Sequence, residues 1–531
     1  MKKTLILLCL LVLTAVLLVS CGTPAGTTET TTEATDPGMT PDGDLLFLKD
    51  GASVFQVTYP MGANTNPNTG TAFKEVLTVL RKSIKTSGYT GTLFPIKSDE
   101  GANKEPVDAP EYEILIGDTN RAESKAIVDT LAYNEAVIRV VGKKVCIIGA
   151  NDTLSIQALY QFIEEYLSGD GTAPVVIPTS LDKKVYLDLT NCRETGMTYA
   201  EMADQVLASF NKRYWQSNRL PKETNWFWDA AEMLETYVDV YEATGRDEDK
   251  TRMTQFATAF LRQHGGDWSW NEYNDDIMWA CIAMARITLL TGEEKWIDYS
   301  KKNFDKVWES QVDTKLGGGM YWRKDQQSKN ACVNGPAAIA ACLLGQHTKD
   351  NTYYDKAKQL IDWEVSKLYE VNTGKVYDNI NIQNKKSDWS STYNQGTFIG
   401  ACTYLWKHFN DETYLGYANK AAEFAMKKLT NGGILDNGEA STSNGDLPGF
   451  KGILTRWLYR LAKETNNIDY LVFLQNNAVV AFKNQNSDGL IWTNWKGKTP
   501  EAETLTRDNG YVVFGMSTAV ALMYNCQQWW D

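Results

Sequence analysis

The sequence predicts a mainly α protein: an (α/α)6 barrel over residues 191–531, preceded by a small α/β domain over 44–190. Three observations carry this prediction. After Met197 apolar residues recur at helical spacing in roughly twelve successive segments. These segments alternate in kind. Residues 331–344, 393–406 and 512–524 carry no charge and 277–290 carries only Arg286, whereas the segments between them are amphipathic. An inner ring wrapped by an outer ring requires that alternation, because only the outer helices meet water. The connections also alternate in length. Those leaving the uncharged helices are short (244–247, 291–293, 349–351, 410–412, 466–467), and those entering them are long (214–228, 265–274, 317–330, 377–392, 432–450, 488–510). In an alternating barrel the six long loops fall on one face, at the N-termini of the inner helices.

Taken in order, the chain opens with Lys2 and Lys3, followed by an apolar run over 4–19 that ends Leu18-Val19-Ser20-Cys21-Gly22. This resembles the lipobox of a bacterial lipoprotein, which implies a signal peptide over 1–20, lipidation at Cys21 and attachment to a membrane outside the cytoplasm. The bland alternative makes Cys21 an ordinary residue near a different cleavage site. Residues 21–43 are rich in Thr, Glu, Pro and Gly, cannot build a core and read as a tether.

Over 44–190 the pattern mixes strands at 54–59 and 112–117, helices at 73–84 and 152–167, and a hairpin over 136–148 that turns at Gly142-Lys143. Through Tyr112-Glu-Ile-Leu-Ile-Gly-Asp-Thr119 and the hairpin-helix stretch 138–166 it resembles the α/β accessory domain placed before the catalytic barrel in several glycosidase families. No paired catalytic groups stand in it, so a spacer or packing role is expected, with glycan binding as the alternative. The boundary is expected at 174–184.

Among the outer helices, Trp296, Phe304, Val307 and Trp308 form one apolar stripe, and Leu415, Ala418, Ala422, Ala425 and Leu429 form another. The segments 229–243 and 451–463 are placed in the inner ring although they carry several charges, which are expected to point into the central cleft.

A formal charge of −13 and a pI near 5.0 leave no clustered basic surface for nucleic acid or anionic lipid. Of nine cysteines, Cys9 leaves with the signal and Cys21 takes the lipid; the remaining seven form no Cys-x-x-Cys pair, and several lie in apolar helical runs. His264, His347 and His408 are dispersed near helix C-termini, where they favour the dipole. No metal and no cofactor are therefore expected, and the chain is read as a monomer.

The candidate site is Asp267-Trp-Ser-Trp-Asn-Glu-Tyr-Asn-Asp-Asp-Ile-Met-Trp279, where an aromatic loop delivers Asp275 and Asp276 to the tip of an apolar helix. With Asn274 as N-cap, two acids in a first helical turn are explained by capping and by the helix dipole, worth about 0.3–1 kcal/mol. Their company argues for chemistry as well. Trp268, Trp270, Tyr273 and Trp279 surround them, and aromatic faces beside paired carboxylates suit a site that stacks sugar rings and cleaves between them.

The motifs Phe227-Trp-Asp-Ala-Ala-Glu-Met233, Tyr273-Asn-Asp-Asp276, Gly317-Gly-Gly-Met-Tyr-Trp322, Lys329-Asn-Ala331, Tyr393-Asn-Gln-Gly396 and Phe450-Lys-Gly-Ile453 resemble glycoside hydrolase family 76, the retaining endo-α-1,6-mannanases and their fungal cell-wall relatives. The resemblance implies a mannan-like polysaccharide or oligosaccharide substrate, Asp275 as nucleophile and Asp276 as general acid/base. It further implies a cleft lined by Trp228, Asp229, Tyr273, Asn274, Trp322, Asn330, Tyr393, Asn394, Gln395, Phe450 and Lys451, each of which could instead serve helix capping and packing. The family commonly shows Gly-Gly-Ile-Trp-Trp where this chain has Gly318-Gly319-Met320-Tyr321-Trp322. Three alternatives stay open: an unsaturated glucuronyl hydrolase using Arg219, Arg323, Lys324, Lys451 or Arg507 to hold an acidic sugar, a transglycosylase, and a noncatalytic glycan-binding lipoprotein.

Overall fold

The computed structural model describes residues 36–65, 70–131, 135–186, 195–224, 226–436, 439, 445–501 and 513–527. The signal segment, Cys21, most of the tether, Cys192 and Arg507 lie outside the described residues.

Short β-branched runs bounded by turn residues build a six-stranded sheet in the N-terminal region. Besides β1 (Leu45–Leu48), the strands are β2 (Gln56–Tyr59), β3 (Ile96–Ser98), β4 (Glu113–Ile116), β5 (Glu135–Val141), β6 (Lys144–Gly149), β7 (Val175–Ile177) and β8 (Asp182–Tyr186). The sheet order is β3-β2-β4-β6-β5-β8, with β3, β2, β4 and β6 parallel and β5 antiparallel to both its neighbours, β6 and β8; β1 and β7 form a separate pair. Helices α1 (Gly70–Thr86), α2 (Ala122–Val128) and α3 (Asp152–Tyr166) accompany it.

The predicted hairpin turns where expected, at Gly142-Lys143. Two boundaries differ from expectation. Residues 36–43 are not free tether: Asp36 pairs with Lys143 at 2.6 Å and Met39 bridges Leu45. The segment 174–184, read as a domain boundary, contains β7 and enters β8, because its Val-Val-Ile run finds β1 as a partner.

Twelve helices follow among the described residues, and they sort into two rings. Tyr199–Tyr214 (α4), Asp247–His264 (α6), Lys295–Gln311 (α8), Asn351–Lys367 (α10), Glu412–Lys428 (α12) and Ile468–Lys483 (α14) are the outer set. Phe227–Thr244 (α5), Asn274–Thr291 (α7), Ala331–Thr348 (α9), Thr392–Phe409 (α11), Phe450–Thr465 (α13) and Val513–Tyr524 (α15) are the inner set. Each inner helix packs on the next and α15 closes on α5, which completes the (α/α)6 ring. Residues 331–345 are buried all round, as a helix enclosed by neighbours must be.

The short turns have a common cause. The first five inner helices end at a residue in the left-handed region: Gly245, Gly292, Lys349, Asn410 and Asn466. This C-cap geometry terminates a helix within one residue and lets the next begin at once, three of them on the side-chain caps Asp350, Asp411 and Asn467. Close packing of the inner ring also needs small residues: a Cβ on Gly396 would stand 2.7 Å from the Leu454 backbone of the neighbouring helix.

The charges of α5 and α13 are largely paired with one another. Glu232, Glu235, Asp239 and Glu242 of α5 pair with Arg286 of α7 and with Arg456 and Arg460 of α13, at distances such as 2.9 Å for Arg456–Glu232 and 2.6 Å for Arg286–Glu235. Arg456 thus reaches past α15 to α5, and Asp239, Glu242, Arg286, Arg456 and Arg460 line a cavity of about 330 Å³.

Candidate active site

Asp275 and Asp276 occupy the second and third positions of α7, on the face that receives the long loops. Asn274 does not cap the helix. It is its first residue, fully buried, and its amide donates to Tyr321 O at 2.8 Å and to Gln311 at 3.3 Å, tying α7 to the next loop. The preceding loop is fixed from beneath by Trp268, whose backbone N–H donates to Asn303 and whose indole donates to Gly265 O.

Each acid has a dedicated donor. Trp322 Nε1 donates to Asp275 Oδ2 at 3.1 Å, and Asn271 Nδ2 donates to Asp276 Oδ2 at 2.9 Å while its own oxygen accepts from the Tyr273 N–H. Burial pushes Asp275 up to about 7, against the lowering effect of the Cys332 thiol, Trp322 and the helix-tip amides. Asp276 is also raised, by burial first, then by the charge of Asp275, then by Asp446 and Asp229, with Asn271 opposing. Dipoles at the helix tip therefore do not keep Asp275 in its ordinary range; desolvation outweighs them.

The other residues singled out in the sequence divide into two groups. Trp228 is half-buried and donates from its indole to Asp446, Tyr273 is 37% exposed with its ring 5.4 Å from Trp322, and Tyr393 stacks on Phe450 at 3.8 Å. Asn394 donates to Asp378 at 3.0 Å, and its buried oxygen has no hydrogen-bond partner. These surround the acid pair.

The second group is turned into the protein. Gln395 is fully buried between Val376 N, Gly374 O and Ala421 O. Lys451 is fully buried, donating to the carbonyls of Thr493 and Leu435 beside the Trp495 ring, and desolvation lowers it to about 8. Asp229 accepts from the Trp226 N–H at the start of α5, and Asn330 accepts from Ser328 at the start of α9. Lys329, next to Asn330 in its motif, holds the glycine loop through Asp313, Lys315 O and Gly318 O. Tyr321, where the family commonly has Trp, is buried with its hydroxyl on Asp313 at 3.0 Å.

Four groups near the acids were not singled out by sequence: Asn271, Cys332, Asp378 and Asp446. Cys332 lies one residue inside α9, its thiol beside both Asp275 and Tyr393. Asp378 and Asp446 are raised by burial, opposed by amide donors on the first and the Trp228 indole on the second. They stand in loops, where no helical periodicity marks them; only their place in long loops on the acidic face could have drawn attention to them.

Among the described residues no cluster of three His, Cys, Asp or Glu side chains is arranged to hold a metal. Around the acid pair stand the rings of Trp228, Tyr273, Trp322 and Tyr393, a setting suited to neutral, polyhydroxylated ligands.

Comparison with known proteins agrees with this description. The profile of glycosyl hydrolase family 76 matches residues 197–523. Mannan endo-1,6-alpha-mannosidase DCW1 of Candida albicans is 26% identical over 310 residues, which are 51% of this chain and 67% of that protein. The structure of the GH76A alpha-1,6-mannanase from Salegentibacter sp. HEL1_6 superposes with a TM-score of 0.56 at 28% identity, over 62% of this chain and 99% of that one. An inactive variant of that enzyme, with two successive aspartates replaced by asparagine and α-1,6-mannotriose bound, matches at 27% identity with the same TM-score of 0.56 and the same coverage, 62% of this chain and 99% of that one. Because the family profile spans the whole two-ring barrel, this chain belongs to glycosyl hydrolase family 76.

Proposed function

We propose that the chain hydrolyses α-1,6-mannosidic linkages in mannan or a related cell-surface glycan by double displacement. The observation that carries this reading is the pair of adjacent buried carboxyl groups at one helix tip, each held by its own neutral donor, Trp322 on Asp275 and Asn271 on Asp276. Asp275, held by the Trp322 indole, is the nucleophile; Asp276, whose proton is favoured by burial and by the neighbouring charge of Asp275, gives it to the leaving oxygen, then takes one from the attacking water. Adjacent residues on one helix tip suit the roughly 5–5.5 Å separation of retaining enzymes better than the roughly 6.5–9.5 Å of inverting ones. That the Salegentibacter variant with two successive aspartates replaced is inactive supports a catalytic role for the pair.

A neutral substrate is favoured over a uronate because three of the five basic residues named in the long loops already have partners within the protein. Lys451 is buried against carbonyls, Arg323 pairs with Glu272 at 3.2 Å, and Lys324 donates to Ser269 O. The test is incubation of the protein with linear α-1,6-mannan, with the first-formed sugar observed by NMR. Release of the α-anomer is expected. A β-anomer appearing first would overturn the nucleophile assignment, and activity on unsaturated uronides alone would overturn the substrate.

We further propose that residues 1–20 are a lipoprotein signal, that Cys21 carries the lipid, and that the region 44–190 is a spacer carrying the barrel at the cell surface. No helix among the described residues is long and apolar enough to cross a membrane. Cys21→Ala is expected to move the protein from the membrane fraction to the soluble fraction; retention in the membrane would overturn the anchor.

A further inference from the structure

Of the fifteen tryptophans among the described residues, only Trp226, Trp270 and Trp389 are exposed, at 43%, 57% and 42%. All three stand in long loops that enter inner helices, on the face of the acid pair, and none is on the outer wall. Packing alone gives no reason for that segregation, since exposed indole surface is unfavourable and the other twelve are covered.

The rings are also held. Trp270 donates from Nε1 to His264 O at 3.3 Å, lies nearly parallel to the His264 ring at 6.3 Å and meets Phe227 edge-on. Trp389 packs at 6.3 Å on Phe450, which stacks on Tyr393 beside Cys332 and Asp275. Their positions follow from the ring order α5-α7-α9-α11-α13-α15. Trp270 belongs to the sector between α5 and α7, and Trp389 to the sector between α11 and α13, which is diametrically opposite.

We propose that Trp270 and Trp389 are sugar-stacking platforms on the two sides of the acid pair, so that the cleft engages a run of sugar rings extending beyond the bond cleaved in both directions. An indole already fixed in place stacks on a pyranose face with little further loss of freedom. The platforms set the preference for long chains over short ones and rest on the substrate reading above.

The experiment uses the full chain carrying Asp275→Asn and Asp276→Asn, so that ligand is not consumed, and measures calorimetric affinity for linear α-1,6-mannan and for α-1,6-mannotriose. Adding Trp270→Ala or Trp389→Ala is expected to weaken mannan binding about fivefold each, with a smaller effect on the trisaccharide, while Trp→Phe at either position recovers most of the loss. Equal weakening of polymer and trisaccharide, or mannan affinity unchanged in both variants, overturns the platforms and leaves the substrate reading intact. A parent protein that binds no mannan overturns the substrate reading and the platforms with it.

Discussion

Two groups of carboxylates lie in the same barrel, and they are treated in opposite ways. Below the cleft Glu232, Glu235, Asp239 and Glu242 share three arginines, and Glu242 is drawn down to about 2 because Arg286 and Arg460 overcome its desolvation. At the cleft Asp275 and Asp276 are flanked by further acids and by neutral donors, and both are raised. The difference is a cation, not the depth of burial. A paired buried acid is part of the fold's scaffold; an unpaired one at an open end is a group that can exchange a proton. Glu232 marks the limit of the rule, since burial raises it to about 7 even beside Arg456.

The largest effect should come from removing the unpaired acids. Asp275→Asn is expected to abolish turnover of both mannan and an activated aryl mannoside. Asp276→Asn should slow mannan by roughly 10²–10⁴-fold, the range of general acid/base catalysis, while sparing the aryl substrate and responding to added azide. Steady-state rates on the two substrates decide this, and equal losses on both without an azide effect would break the division of roles.

A smaller effect tests the other cluster. Arg456→Leu leaves Glu232, Glu235 and Asp239 facing one another with a cation removed, which makes the scaffold resemble the cleft. Breaking a buried pair costs about 3–5 kcal/mol, so the thermal midpoint should fall by roughly 10 °C at 2–4 °C per kcal/mol. Adding Glu232→Gln should return part of it. An unchanged midpoint in Arg456→Leu would show that the network contributes nothing to stability.

The smallest effect has the opposite sign. Asp275 and Asp276 ionise at higher pH in the folded chain than at their ordinary value of 3.8. The folded state therefore binds more protons than the unfolded state above that value, and their contribution to stability declines as pH rises toward and through about 7 for Asp275. The Asp275→Asn, Asp276→Asn protein should melt several degrees above wild type at pH 8, roughly 2–4 °C for each kcal/mol regained, with the gap closing near pH 4. Calorimetric scans at the two pH values check this; a wild type that is the more stable at pH 8 would contradict the desolvation argument.

The sequence determined the barrel on its own, because its signals are local. An uncharged helix such as 331–344 can only be enclosed, and left-handed stops at Gly245, Gly292, Lys349, Asn410 and Asn466 close each inner helix within reach of the next. The acid pair was legible for the same reason, as two charges at the edge of an apolar run. Only the tertiary structure decided which polar residues face the cleft. Gln395 and Lys451 share motifs with Tyr393 and Phe450, yet a one-residue step on a helix turns a side chain by about 100°, and theirs point to loop carbonyls. Cys332, Asp378 and Asp446 reach the acids through loops and helices distant in sequence, and the perturbation of Asp276 by Asp446 and Asp229 exists only once the ring closes and water is excluded around all of them.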